Sequence, residues 1–178
     1  MTHASKIQPG FTIIELLISL VVLSLLLGLG LPAFRAFLAN SQTRNAADAV
    51  LNGLQLARAE AIRHNKPVQF QLGTRSEWTV SVVNPYEKLQ YRPKEDGSPN
   101  TQVQVTPGGT NTVTFNGMGG TTSNNDASPS LTQLDLSNNV SMPGLRALRI
   151  VISPSGGARM CDPPTNSPAL PAGDPRSC

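Results

Sequence analysis

Between Phe11 and Leu31 the chain reads FTIIELLISLVVLSLLLGLGL, 21 residues carrying one charge, Glu15, and closed by Pro32. As a helix this stretch is about 30 Å long, the thickness of the hydrocarbon core of a bilayer. A helix that is apolar on every side offers no face to water, so the core helix of a soluble domain fits poorly and a membrane span is the reading. A secretory signal peptide would place a small-residue cleavage site behind the apolar run. Here a polar stretch, Met1 to Gly10, lies ahead of the run, holds a single lysine and ends Pro9-Gly10. Glu15 is the exception inside the span. A carboxylate there costs a few kcal/mol on insertion scales and marks function, with a positive group as its expected partner. A cut after Gly10 would make Phe11 a free amine four residues before Glu15, and the same cut in a neighbouring copy would supply an amine nearby.

The segment that follows stays helical but becomes amphipathic. Ala47, Val50, Leu51, Leu54, Ala57, Arg58 and Ala61 recur at spacings of three and four, and only Arg58 breaks the apolar stripe. Pro32 is placed to bend the helix where it leaves the membrane. His64-Asn65-Lys66-Pro67 supplies stop signals. The stripe is a seam for core packing against a sheet. Beyond it, Val68 to Leu72 and Trp78 to Val83 alternate apolar and polar as half-buried strands do. Leu89 to Arg92, Val103 to Thr106 and Thr112 to Phe115 are weaker strands, and Leu145 to Ile152 is the strongest late one. Asn116 to Ser130 reads as surface loop. Aromatic residues make up 4% of the chain, so the core is aliphatic, and 15 glycines and 15 prolines suit a β-rich domain with long turns. Charged residues make up 14%, against about 25% in an ordinary soluble domain. A net charge of +3 is too mild to define a nucleic-acid binder.

The start of the apolar run, Gly10-Phe11-Thr12-Ile13-Ile14-Glu15-Leu16-Leu17, resembles the processing signal of type IV pilins and type II secretion pseudopilins. Three further stretches are similar to the FimT/GspH family within that group. They are Leu56-Ala57-Arg58-Ala59-Glu60-Ala61-Ile62-Arg63, the turn Thr114-Phe115-Asn116-Gly117, and Ile152-Ser153-Pro154-Ser155-Gly156-Gly157-Ala158-Arg159. The resemblance implies an α+β pilin fold: a long N-terminal helix, half in the membrane and half amphipathic, packed on an antiparallel sheet domain. It also implies that prepilin peptidase cuts between Gly10 and Phe11, that Phe11 is N-methylated, and that Glu15 aligns subunits during assembly. The organisation to expect is a leader 1-10, a transmembrane and filament-core helix 11-31, an amphipathic helix 32-65, a sheet domain 66-160 and a Pro-rich disulfide loop 161-178. The implied partners are other minor pilins, the major pilin, an inner-membrane platform protein and the peptidase. The implied location is the inner membrane, single-pass with the C-terminal domain in the periplasm, and then the pilus or pseudopilus.

The chain has two cysteines, Cys161 and Cys178. Between them lie Pro163, Pro164, Pro168, Pro171 and Pro175, with Leu170 the one large apolar residue. Such text does not bury enough surface to order itself, and a disulfide would shrink its unfolded ensemble, worth about 3 kcal/mol for a loop of this size. An oxidised loop in a periplasmic or extracellular domain is the reading, with two free thiols as the alternative. The tail also resembles that of FimU-type minor pilins, which close this region with a disulfide. DNA-binding FimT proteins carry a Gly-Arg-x-Arg motif nearby. The matching text here is Gly156-Gly157-Ala158-Arg159, with a glycine in place of the first arginine. Arg146, Arg149, Arg159 and Arg176 still leave this end positive, so phosphate contact with a nucleic acid is set against ordinary solvated charge.

No nucleophile elbow, phosphate-binding glycine loop, HExxH or CxxC occurs, and His64 has no partners for a triad. Glu95 and Asp96 sit together in a turn and read as solvated. With His3 in the leader, no metal site forms around the cysteines, and no cofactor is expected. The chain reads as a non-enzymatic structural subunit, a minor pilin that helps initiate pilus assembly. An H-type pseudopilin of type II secretion is the first alternative, and a DNA-binding minor pilin for natural transformation is the second.

Overall fold

A threonine opens the first helix. Thr12 Oγ1 accepts the backbone N–H of Glu15 at 3.3 Å, satisfying one of the donors that a helix start leaves free. From there α1 runs Ile13–His64 in the computed structural model, which describes residues 10–178 except Gly97, Ser167 and Ala172. The expected leader up to Pro9, with His3, lies outside the described residues. Among the described side chains, the large apolar ones of α1 through Phe37 stand exposed, Leu25 and Leu26 at 63% each. The two serines in the run turn their hydroxyls inward: Ser19 donates to the Glu15 carbonyl at 2.7 Å and Ser24 to that of Val21 at 2.8 Å. Each hydroxyl is thereby satisfied without water, as a lipid setting requires. α1 continues through Pro32.

Residues Leu38–Cys178 form a separate compact unit. Its helical part buries Ala47, Val50, Leu54, Ala57 and Ala61 of the stripe read from the spacing, with Ala46 beside them, to 1% exposure or less, while Leu51 and Arg58 are half-buried. Gly53 belongs to the same face, because a Cβ there would meet the Phe70 and Trp78 rings at 2.9–3.0 Å. Small residues thus let the helix backbone lie directly on the sheet. The helix ends with Asn65 in the left-handed region (φ 49°) and Lys66 N–H bonded to the Ala61 carbonyl at 3.3 Å. That closure is favoured by an asparagine just past the last turn.

Nine strands follow among the described residues: β1 Val68–Leu72, β2 Trp78–Val82, β3 Glu87–Arg92, β4 Thr101–Thr106, β5 Thr112–Phe115, β6 Thr121–Thr122, β7 Gln133–Asn138, β8 Leu148–Ile152 and β9 Ala158–Cys161. They form two antiparallel sheets, ordered β3-β2-β1-β5-β6 and β4-β7-β8-β9. Phe70, Val80, Val113 and Phe115 from the first sheet, and Leu134, Leu136 and Ile150 from the second, meet the helix stripe in one fully buried cluster. Backbone bonds tie the sheets where they meet: Leu131 N–H to the Thr112 carbonyl at 2.9 Å and Thr121 N–H to the Pro154 carbonyl at 3.0 Å.

Three expectations are corrected here. Asn116 to Ser130 is not simply a surface loop, for it contains β6 and a buried Asn124. The Asn124 amide donates to the Thr112 and Pro129 carbonyls, and its oxygen accepts the Thr114 hydroxyl at 2.9 Å. The late strand starts at Leu148 rather than Leu145, because Arg146 and Ala147 give their N–H groups to the side chains of Asn40 and Asn166. β7 and β9 are additional strands. β7 holds only two apolar residues, Leu134 and Leu136, both buried in strict alternation with polar neighbours.

Candidate functional site

Two regions carry the residues singled out from the sequence. At the first, Gly10 and Phe11 precede α1, lie outside regular structure and are exposed. A Cβ placed on Gly10 would meet nothing within 4 Å. Glu15 stands in the first turn of α1 with its side chain exposed. A carboxylate there complements the positive end of the helix dipole. The Thr12-x-x-Glu15 spacing is also that of a capping box, a local role that the sequence reading missed although its text was visible. The described apolar length of α1 suffices by length and composition to cross a membrane.

At the second region, Cys161 and Cys178 are bonded to each other, with their Cα atoms 5.3 Å apart. The bond is not alone in ordering the tail, which corrects the expectation that this text has no fold of its own. Asp162 N–H donates to the Arg176 carbonyl at 2.6 Å, and Cys178 N–H to the Asp162 carbonyl at 3.0 Å. Asn166, only 7% exposed, clamps the backbone ahead of β8. Its oxygen accepts the Ala147 N–H at 2.8 Å and its amide donates to the Ala147 carbonyl at 2.9 Å. A side-chain amide here occupies the place of a neighbouring strand. Asp174 accepts from the Arg176 backbone N–H and from the guanidinium at 2.9–3.1 Å. Those hydrogen bonds hold its carboxyl at about 2, below the ordinary 3.8.

Three of the four arginines proposed for nucleic-acid contact have carboxylate partners. Arg149 pairs with Asp135 through two contacts, 2.5 and 3.0 Å, across the β7–β8 register. Arg146 lies 3.6 Å from Asp162, and Arg176 lies 2.9 Å from Asp174. Among the described residues only Arg159 of the four lacks a carboxylate partner, exposed on β9. A phosphate would have to compete with those pairs. Arg58, the break in the helix stripe, donates from Nε to the Gly119 carbonyl at 2.9 Å. Gly156, at φ 80°, packs so closely on that same carbonyl that a side chain would strike it. Helix, β5–β6 turn and β8–β9 turn thus converge on one peptide group.

An exposed apolar helix with this start, and a helix-packed antiparallel domain closed by a disulfide, define a pilin-like subunit. The family model for type II transport protein GspH matches residues 46–156, and that for the prokaryotic N-terminal methylation motif matches residues 5–31. The chain belongs to the GspH family of pilin-like structural proteins, which are not enzymes. No curated protein matches it. Two crystal forms of the type IV minor pilin FimU of Pseudomonas aeruginosa are similar to it. One is 18% identical, covering 72% of this chain and 97% of that one with a TM-score of 0.45. The other is 19% identical, covering 76% and 93% with a TM-score of 0.46.

Proposed function

We propose that the chain is a minor pilin of a type IV pilus, a structural subunit that helps initiate assembly after prepilin peptidase cuts between Gly10 and Phe11 and Phe11 is N-methylated. The observation that carries this reading is the exposed Gly10-Phe11 junction directly ahead of α1 and its apolar run. A peptidase needs an extended, reachable bond, and the helix that starts at Ile13 leaves this one free. The subunit waits in the inner membrane by its single span, with the disulfide-closed domain in the oxidising periplasm. In the filament, Glu15 meets the amine of a neighbouring Phe11. Other minor pilins, the major pilin and a membrane platform protein are its partners.

Intact mass of the protein from a host with active prepilin peptidase tests the processing step. The expected species begins at Phe11 and carries one added methyl group. A chain that retains Met1 to Gly10 in such a host overturns the proposal.

The family's own description, a type II transport protein, favours a second reading as the H-type pseudopilin of a secretion machine. Deleting the gene separates the two readings: loss of surface pili supports the first, and loss of protein secretion with pili intact supports the second.

A further inference from the structure

The outermost strands are β3 and β6 in one sheet and β4 and β9 in the other, and they are not protected alike. β3 carries Glu87, Lys88 and Arg92 and is bulged against β2. β6 is two residues long. The end of β9 is covered by the tail, where Asp162 N–H donates to the Arg176 carbonyl and Cys178 N–H to the Asp162 carbonyl. Charge, bulges, shortness and cover are the means by which folded chains keep a sheet edge from pairing with another chain. β4 has none of them. It reads TQVQVT, and the sequence holds no charged residue between Asp96 and Asp126.

The ladder to β7 determines which backbone groups of β4 are free. Asn139 N–H bonds to the Asn100 carbonyl and Thr132 N–H to the Thr106 carbonyl, each at 2.9 Å. Even-numbered residues of this strand thus turn their backbone groups toward β7, and in an antiparallel ladder the alternate residues turn theirs away. The outward N–H of Thr101 bonds to the Ser98 carbonyl at 3.2 Å. The N–H and C=O groups of Val103 and Val105 bond to no backbone group among the described residues. Side chains divide by face. Val103 and Val105 lie half-buried against the core cluster, while Gln102, Gln104 and Thr106 stand exposed.

We infer that β4 takes an extended segment of a partner protein as an added antiparallel strand, uncharged, with apolar residues alternating with amide or hydroxyl ones. The apolar positions of that segment fall opposite Val103 and Val105, exchange backbone hydrogen bonds with them and continue the inner face of the sheet. Its polar positions lie beside Gln102 and Gln104. A charged residue on the inner face would sit beside the core with no counter-charge on β4. A second copy of this chain fits less well. Identical strands pair antiparallel about a two-fold axis normal to the sheet, which reverses α1 of one copy against the other. Copies that enter one membrane share the direction of α1. The inference concerns recognition chemistry and holds for either assembly machine.

The probe is the capped hexapeptide acetyl-TQVQVT-amide, which has the required alternation, added to the full-length nitrogen-15-labelled chain in detergent micelles. It is expected to shift the amide protons of Val103 and Val105 downfield, saturably, and to slow their exchange with solvent. The same peptide N-methylated at its valines is expected to bind at least about tenfold more weakly, as loss of the backbone hydrogen bonds facing β4 implies. N-methylation at its glutamines leaves those donors in place and is expected to leave binding unchanged. Val103→Pro removes an N–H that points away from β7, so it is expected to weaken binding while the β7 amide resonances stay in place. Three results overturn the inference: no saturable shift, equal binding of the two methylated peptides, or undiminished binding to a folded Val103→Pro. Self-association of the chain that Val103→Pro abolishes would assign the edge to a second copy and overturn it as well. If Val103→Pro does not fold, the two methylated peptides on the unaltered chain decide. None of these results bears on cleavage at Gly10, so the processing test stands apart.

Discussion

Glu15 follows Thr12 by three residues, the spacing of a capping box, so its carboxylate is suited to a local as well as an intermolecular role. Glutamine separates them, because it serves in a capping box as glutamate does but carries no charge. Glu15→Gln is expected to keep the helix start and membrane insertion while incorporation into filaments falls several-fold, measured by immunoblot of sheared pili. Incorporation equal to wild type would leave Glu15 a cap and nothing more. Arg58 shows how far the sequence carried at this scale. As the one polar residue in an apolar stripe it was visible as an exception. Its acceptor, the Gly119 carbonyl, lies 61 residues away, and neither spacing nor composition brings the two together. Gly156 was equally silent, because only the fold reveals that a backbone at φ 80° must press on that carbonyl.

At the scale of elements, the helix and the first strand were legible because burial is periodic there: three and four along α1 and two along β1. β7 and β9 were lost because few residues stand on their buried face, and a polar text with two leucines resembles a turn. The asparagines misled in a consistent way. They mark loops, as expected, but Asn124 and Asn166 fasten those loops to backbone groups, and Asn40 does the same from α1 for the loop before β8. The tail follows from this. With Asn166 on Ala147 and Asp162 bonded to Arg176 and Cys178, reduction removes one fastening among several. Cys178→Ser is therefore expected to move the main melting transition by only a few degrees, while limited proteolysis cuts between residues 168 and 176 before any site in the sheets. Loss of the whole transition would show that the disulfide supports the core. Acid should loosen the same segment. The carboxylate of Asp174 is favoured by folding, so its contribution is complete above its ordinary 3.8 and is lost as pH falls through about 2.

At the scale of the whole molecule, the long N-terminal helix and the antiparallel strands were announced by the sequence, one by an unbroken apolar run and the other by alternation. The order of strands was not, because pairing partners far apart in the chain leave no local mark. β1 pairs with β2 beside it but also with β5, and β4 leaves for the other sheet before β5 returns. The chain therefore crosses from one sheet to the other at β4, back at β5, and over again at β7. Neither sheet is complete until the other has been started. Such interleaving removes any stable half-folded domain and makes the ordering of these nine strands one event, slowed by its distant contacts. Trp78 fluorescence, which senses the first sheet, and far-ultraviolet circular dichroism, which senses both sheets and the helix, should share one denaturant midpoint once the helical baseline is subtracted. Midpoints that separate would mean that one sheet survives alone, which this threading of the chain forbids.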